Sequence, residues 1–127
     1  MANWTPEGFM GKMFRLASRH LPPPVELPAP TLWGDEAVAR LRLRDHGVDI
    51  KTTRRSILFE YPFSPGEVVQ FFGEYFGPTK VAFSRLDVAQ QDEYREDLER
   101  LWSEHNQAKD GKTLIQNEYL EVIGTRL

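Results

Sequence analysis

Cysteine is absent from this chain. That excludes disulfides, thiol nucleophiles and thiolate metal sites together, and it fits a reducing compartment. Long apolar runs are absent too. None approaches the roughly 18 residues that a membrane-spanning helix needs, and the first residues lack the basic-then-apolar layout of a secretory signal. These absences predict a cytoplasmic protein with no membrane partner. Closely spaced glycines are missing: of nine glycines no two are separated by a single residue, and the nearest pair is Gly8 and Gly11. A loop that cradles phosphate or dinucleotide needs its glycines close together, so that backbone N–H groups can approach the ligand. This chain has no such loop. An excess of positive charge is also missing, since 16 Lys and Arg stand against 19 Asp and Glu. A net charge of −3 argues against nucleic acid as a partner. No Gly-x-Ser-x-Gly elbow occurs. His20, His46 and His105 lie far apart with no second ligand at metal spacing, so they predict structural or surface roles and no metal.

What remains is globular: 127 residues, 40% apolar and 28% charged, enough for a single α+β domain over residues 1–127. Thr5-Pro6-Glu7 has the chemistry of a helix N-terminus, with a hydroxyl cap, a proline that has no N–H to leave unbonded, and an acid at the positive dipole end. The helix is predicted over Pro6–His20, with Phe9, Met13, Leu16 and Ala17 on one stripe. Pro22-Pro23-Pro24 stops it and opens a stiff connector, so that residues 5–31 form a helix-plus-connector section ahead of a strand, lid and strand section over 32–127.

Asp35 can cap a short helix whose inner side is Val38 and Leu41, and Gly47 suits a left-handed exit. "VDIKTTRRSILFEYPF" changes to a strand period, with Ile57, Phe59 and Tyr61 alternating onto one face. Ser64 and Glu67 form a capping box. The helix behind them carries Val68, Phe72, Tyr75 and Phe76, and Gly77-Pro78 breaks it. Asp87 with Gln90 caps the most regular helix, with Tyr94, Leu98, Leu101, Trp102 and His105 on one face. Asp110-Gly111 turns the chain into a last strand that is apolar on both faces and so needs cover on both. The expected fold is an antiparallel strand pair, about 49–61 and 113–126, with helices inserted between.

The basic residues Arg40, Arg42, Arg44, Lys51, Arg54 and Arg55 carry no interleaved aromatic platform and are diluted by Asp45 and Asp49, which reads as an exposed helix and strand. The carboxylates Asp92, Glu93, Glu96, Asp97 and Glu99 read as the wet face of a helix. Phe71, Phe72, Tyr75, Phe76 and Phe83 are more aromatics than one core-facing stripe requires. They fill a core or line a pocket for an apolar ligand, and the Gly77-Pro78 break is also what a movable lid shows.

Taken in order, "NWTPEGFMGKMF", the proline-rich connector, "LWGDEAVARL", "RRSILFEYPFSP", "VVQFFGEYFGPTKVAF" and "NEYLEVIGTR" resemble the C-terminal half of class I S-adenosylmethionine-dependent methyltransferases of the ubiquinone/menaquinone-biosynthesis-like type. The resemblance implies a partial Rossmann-like fold. Ala2-Asn3-Trp4 would be the stub of strand five, the two long strands would be six and seven, and the inserted helices a lid over the substrate. It implies substrate lining by Trp4 and Phe9 at the mouth of strand five, by Trp33 at the connector, and by Phe72, Tyr75 and Phe76 on the lid helix. It supplies no catalytic residue and no cofactor contact in this chain. S-adenosylmethionine would be a cofactor only where a separate chain supplies the N-terminal half.

On that reading the chain is inactive alone, and the "YLEVIGT" edge is left open to a cofactor-binding partner or to a second copy in a homo-oligomer. The alternative is a stand-alone module derived from the fold, holding an apolar small molecule or another protein.

Overall fold

The computed structural model describes residues 1–21 and 30–127. The expected stiff connector lies outside the described residues. Three strands, β1 (Ala2–Trp4), β2 (Val48–Tyr61) and β3 (Thr113–Arg126), accompany five α-helices: α1 (Phe9–His20), α2 (Glu36–Leu43), α3 (Pro65–Tyr75), α4 (Gly77–Ser84) and α5 (Val88–His105). A 3₁₀ turn over Pro30–Gly34 precedes α2.

The sheet order is β1-β3-β2, so the last strand in sequence is the middle strand in space. β1 pairs antiparallel with β3, with Ala2 opposite Glu121, Asn3 opposite Leu120 and Trp4 opposite Tyr119. β2 is antiparallel to β3 as well: Leu127 N donates to Gly47 O at 3.1 Å, while further along β2 Arg55 reaches back to Glu121.

The expected strand pair is therefore found, but it gains a third member, and the expected open "YLEVIGT" edge is corrected over Tyr119–Val122. Thr5 N donates to Glu118 O at 3.0 Å, and Met1 and Val122 exchange backbone bonds of 2.9 and 2.8 Å. Three residues are too short to show a period; Ala2-Asn3-Trp4, the stub that the resemblance implies, is a strand here, paired with the far end of the sequence.

The chain divides into two compact units. The first comprises Met1–Lys12, Val25–Ile57 and Asn117–Leu127, the second Met13–Pro24 and Leu58–Gln116.

In the first unit the Asp35 carboxylate accepts from Val38 N at 3.1 Å and caps α2. The buried residue of α2 is Ala39, packed with Leu120 and Val122 of β3 and bordered by Trp33, Leu43 and Ile50. Leu41, expected on the inner side, is 61% exposed. Leu41 stands two residues from Ala39, about 200° round the helix, so the side that buries Ala39 and packs Leu43 turns Leu41 to the opposite side. Gly34 is pressed against β1, and a Cβ there would stand 1.9 Å from the Trp4 carbonyl oxygen. Gly47 takes the left-handed exit at φ 66°.

Thr5 caps as expected, its hydroxyl accepting from Gly8 N at 3.2 Å. However, α1 begins at Phe9, because Gly8 N also bonds Thr5 O and closes a tight turn over Pro6–Gly8 first.

In the second unit both capping boxes form, Ser64 with Glu67 and Asp87 with Gln90. The core includes Val68, Val69, Phe72, Tyr94, Leu98, Trp102 and Ile115, with Trp102 fully buried. Thr113 Oγ1 donates to Phe63 O at 2.8 Å and fixes the entry to β3. Asn106 accepts from Ala108 N and Leu114 N and donates to Lys112 O, which closes the loop around Gly111. β3 is buried on alternate residues at Thr113, Ile115 and Asn117, and then on the opposite face at Leu120 and Val122. Its two-sided apolar pattern thus has cover on both faces, as expected. Ile123 is the exception, about half exposed.

Candidate functional site

Six aromatic residues were expected to line a substrate, and they fall three to each unit. In the second unit Phe72 is 6% exposed and stacks on Trp102 with ring centroids 5.0 Å apart. Phe76 packs on Phe72 at 5.1 Å, and Tyr61 meets Phe72 and Trp102 edge-on at 6.2 Å. The burial pushes the Tyr61 phenol above its ordinary pKa. Tyr75 lies outside this stack, 71% exposed, with its ring 5.0 Å from Phe71. Phe72 is thus a core residue, Phe76 half core, and Tyr75 a surface residue. Of the two readings of the aromatic excess, core or pocket lining, Phe72 follows the core one, and Tyr75 lies on the surface.

The same unit contains a groove of about 660 Å³ between α3, α4 and α5, lined by Gly66, Val69, Gly73, Phe83, Arg95 and neighbours. Phe72, Tyr75 and Phe76 do not line it. The Arg95 guanidinium lies 5.4 Å from the Phe83 ring centroid, and Gly73 brings α3 close enough that a Cβ would touch that ring at 3.5 Å.

In the first unit Phe9 is a core residue, 3% exposed. Trp33 borders the core of Ala39, Leu120 and Val122, with the Arg42 guanidinium 4.5 Å above its ring. Trp4 does line a hollow. Its ring meets Tyr119 edge to face at 6.3 Å, and with Ala2, Asn3 and Ile57 the two rings wall a shallow concavity of about 460 Å³. Two aromatic walls with an aliphatic floor and one amide at the margin suit a flat apolar group. Tyr119 and Ile57 were not singled out from sequence. Their meeting with Trp4 depends on the register of three strands, which leaves no local signal.

The charged residues are largely occupied. Arg40 bonds Glu36 at 3.1 Å and reaches Ile50 O and Thr52 Oγ1. The Thr52 hydroxyl, then Arg40, hold the Glu36 carboxyl below the usual carboxylate range. Arg54 bonds Glu118 at 3.2 Å and lies 3.7 Å from Glu7, and Arg55 bonds Glu121 at 3.1 Å. Such pairing fits the exposed helix and strand expected of the basic run. Among the described residues, no group of three or more His, Asp or Glu is placed to hold a metal ion, and no helix is long and apolar enough to cross a membrane.

A four-residue turn leads from β1 into α1. Its N–H groups do not face outward. Thr5 N and Gly8 N are bonded internally, and a Cβ on Gly8 would lie 2.9 Å from Thr5 Oγ1 and 3.2 Å from Glu118 Cβ. Thr5 N and Gly8 N are therefore already occupied at this turn.

No protein-family model matches the chain, and no solved structure matches it. It is 35% identical over 85 residues, 66% of its length, to the uncharacterized protein Mb1438c of Mycobacterium bovis. The uncharacterized proteins MT1447 and Rv1403c of Mycobacterium tuberculosis match to the same extent. The chain spans 31% of the length of these curated relatives.

Proposed function

We propose that this chain is the C-terminal, substrate-side part of an S-adenosylmethionine-dependent methyltransferase, in a partial Rossmann-like fold, and that it transfers no methyl group by itself. The observation that carries this reading is the strand order. The sequence-last strand lies in the middle, antiparallel to a short strand on one side and a long strand on the other. The resemblance implies that arrangement for strands five, seven and six. The relatives' greater length supports it too, because a cofactor-binding half has room in them. The cofactor would come with that half, on a separate chain. The hollow of Trp4, Tyr119 and Ile57 would lie on the acceptor's side, beside the stub of strand five. The lack of cysteine and of a long apolar helix supports a cytoplasmic setting.

Calorimetry with S-adenosylmethionine tests the proposal. The expected result is no binding heat from this chain alone, and binding once a cofactor half is added. Micromolar affinity in the isolated chain would overturn it.

A further inference from the structure

β1 and β2 form the two margins of the sheet, and the 14-residue β2 is the long one. At its start α2 closes that margin, where Arg40 bonds the Ile50 carbonyl at 3.4 Å. At its end Pro62 has no N–H to offer. Between them Arg54, Arg55, Ser56, Ile57 and Leu58 are five consecutive exposed residues, and Glu60 is exposed as well. Consecutive strand residues point to opposite faces, so this stretch is bare on both. Ile57 and Leu58 are 46% and 56% exposed, at the centre of the bare stretch.

We infer that a second copy of this chain pairs with this margin, β2 against β2, antiparallel about a twofold axis at Ile57. The charges select that occupant. Strand edges ordinarily carry charges that keep other copies away. Here a twofold centred on Ile57 sets Arg54 of each copy, which bonds Glu118 of its own chain through Nη1, opposite Glu60 of the other, twice. It also sets Arg55 opposite Phe59 and Ser56 opposite Leu58. Among the described residues Glu60 forms no ion pair within its own chain. Shifting the axis by one residue to Leu58 places Arg54 opposite Pro62 and loses both pairs. The contact is isologous and closes on itself, so it yields a dimer and no filament. This inference does not rest on the methyltransferase reading.

Sedimentation equilibrium of the whole chain over about 1–100 μM tests it, with a dimer of micromolar dissociation constant expected. Glu60→Arg, at an exposed position without an ion-pair partner, is expected to weaken the dimer at least tenfold and to leave the circular dichroism unchanged. Because the chain has no cysteine, Ile57→Cys introduces a single thiol. Facing Cβ atoms lie about 4.5–5.5 Å apart in such a pair, so oxidised glutathione should link the copies. Thr53→Cys should not link, since its two thiols would stand about 26 Å apart at ~3.3 Å per residue. A monomer throughout the range, a Glu60→Arg dimer of unchanged affinity, or equal linking by both cysteine variants would each overturn the inference.

Discussion

His20 Nε2 stands 2.7 Å from Asp97 Oδ2 and joins the last residue of α1 to the middle of α5 within the second unit. The other Asp97 oxygen takes Arg100 Nη1 at 3.1 Å, and the His20 ring lies 5.2 Å from that of Tyr94. Although a histidine beside a carboxylate resembles half of a catalytic relay, its setting is that of a clasp between two helices. Among the described residues, no nucleophile is bonded to the pair.

The clasp predicts a measurable coupling. Asp97 is about one-third exposed, so the Coulomb attraction is partly screened, and a double-mutant cycle of His20→Ala and Asp97→Ala should give roughly 0.5–1 kcal/mol. Denaturant unfolding reads it. A coupling of zero would mean that the two groups do not hold α1 to α5.

The aromatic residues of α3 should separate sharply on truncation. Phe72→Ala removes a ring packed on Trp102 and should cost about 3–5 kcal/mol. Tyr75→Ala, on the exposed side of the same helix, should change stability by no more than about 0.5 kcal/mol. Comparable losses from both would show that Tyr75 is packed. If an apolar small molecule binds this region, Tyr75→Ala is the variant whose loss of affinity can be read without loss of the fold.

The parts of this architecture that were legible in advance are those whose chemistry is local. Ser64 with Glu67, Asp87 with Gln90, Asp35 and Thr5 each satisfy N–H groups three residues away, and Gly77-Pro78 marks the division of α3 from α4. Both long strands were found within a residue or so of their ends. What escaped depends on residues far apart in the chain. β1 has no local period and was expected only from the resemblance; its register against Glu118–Val122 is what the sequence did not show. Leu41 was assigned inward with Val38, whereas the covered side of α2 is the one that carries Ala39 and Leu43. Of the six expected lining residues, Trp4 does line a hollow, but its partners Tyr119 and Ile57 were invisible without the sheet register.

Tyr94 should be the last tyrosine to ionise. Burial pushes its phenol up to about 12 from an ordinary 10. The sign follows from linkage. Above pH 10 the unfolded chain loses this proton while the folded chain keeps it, so stability falls between about pH 10 and 12. Below pH 10 both states hold the proton and the term vanishes. Ultraviolet titration of the wild type against Tyr94→Phe reads the pKa directly, and the variant should lose this alkaline decline. A Tyr94 that titrates at 10 would contradict its burial.

Asn117 is 1% exposed, and neither its amide nitrogen nor its amide oxygen has a hydrogen-bond partner. An amide taken out of water without compensation costs about 1–3 kcal/mol, and replacing it by an apolar group of similar shape recovers much of that. The position lies inside β3 beside Ile115 on the same face, and one face of a buried strand has no intrinsic need of an amide. Asn117→Leu should therefore raise stability by about 1–2 kcal/mol, read as a higher urea midpoint at unchanged slope. The opposite outcome, a lower midpoint, would mean that the amide is satisfied in solution, and a buried water with two or more polar neighbours is the group that could satisfy it.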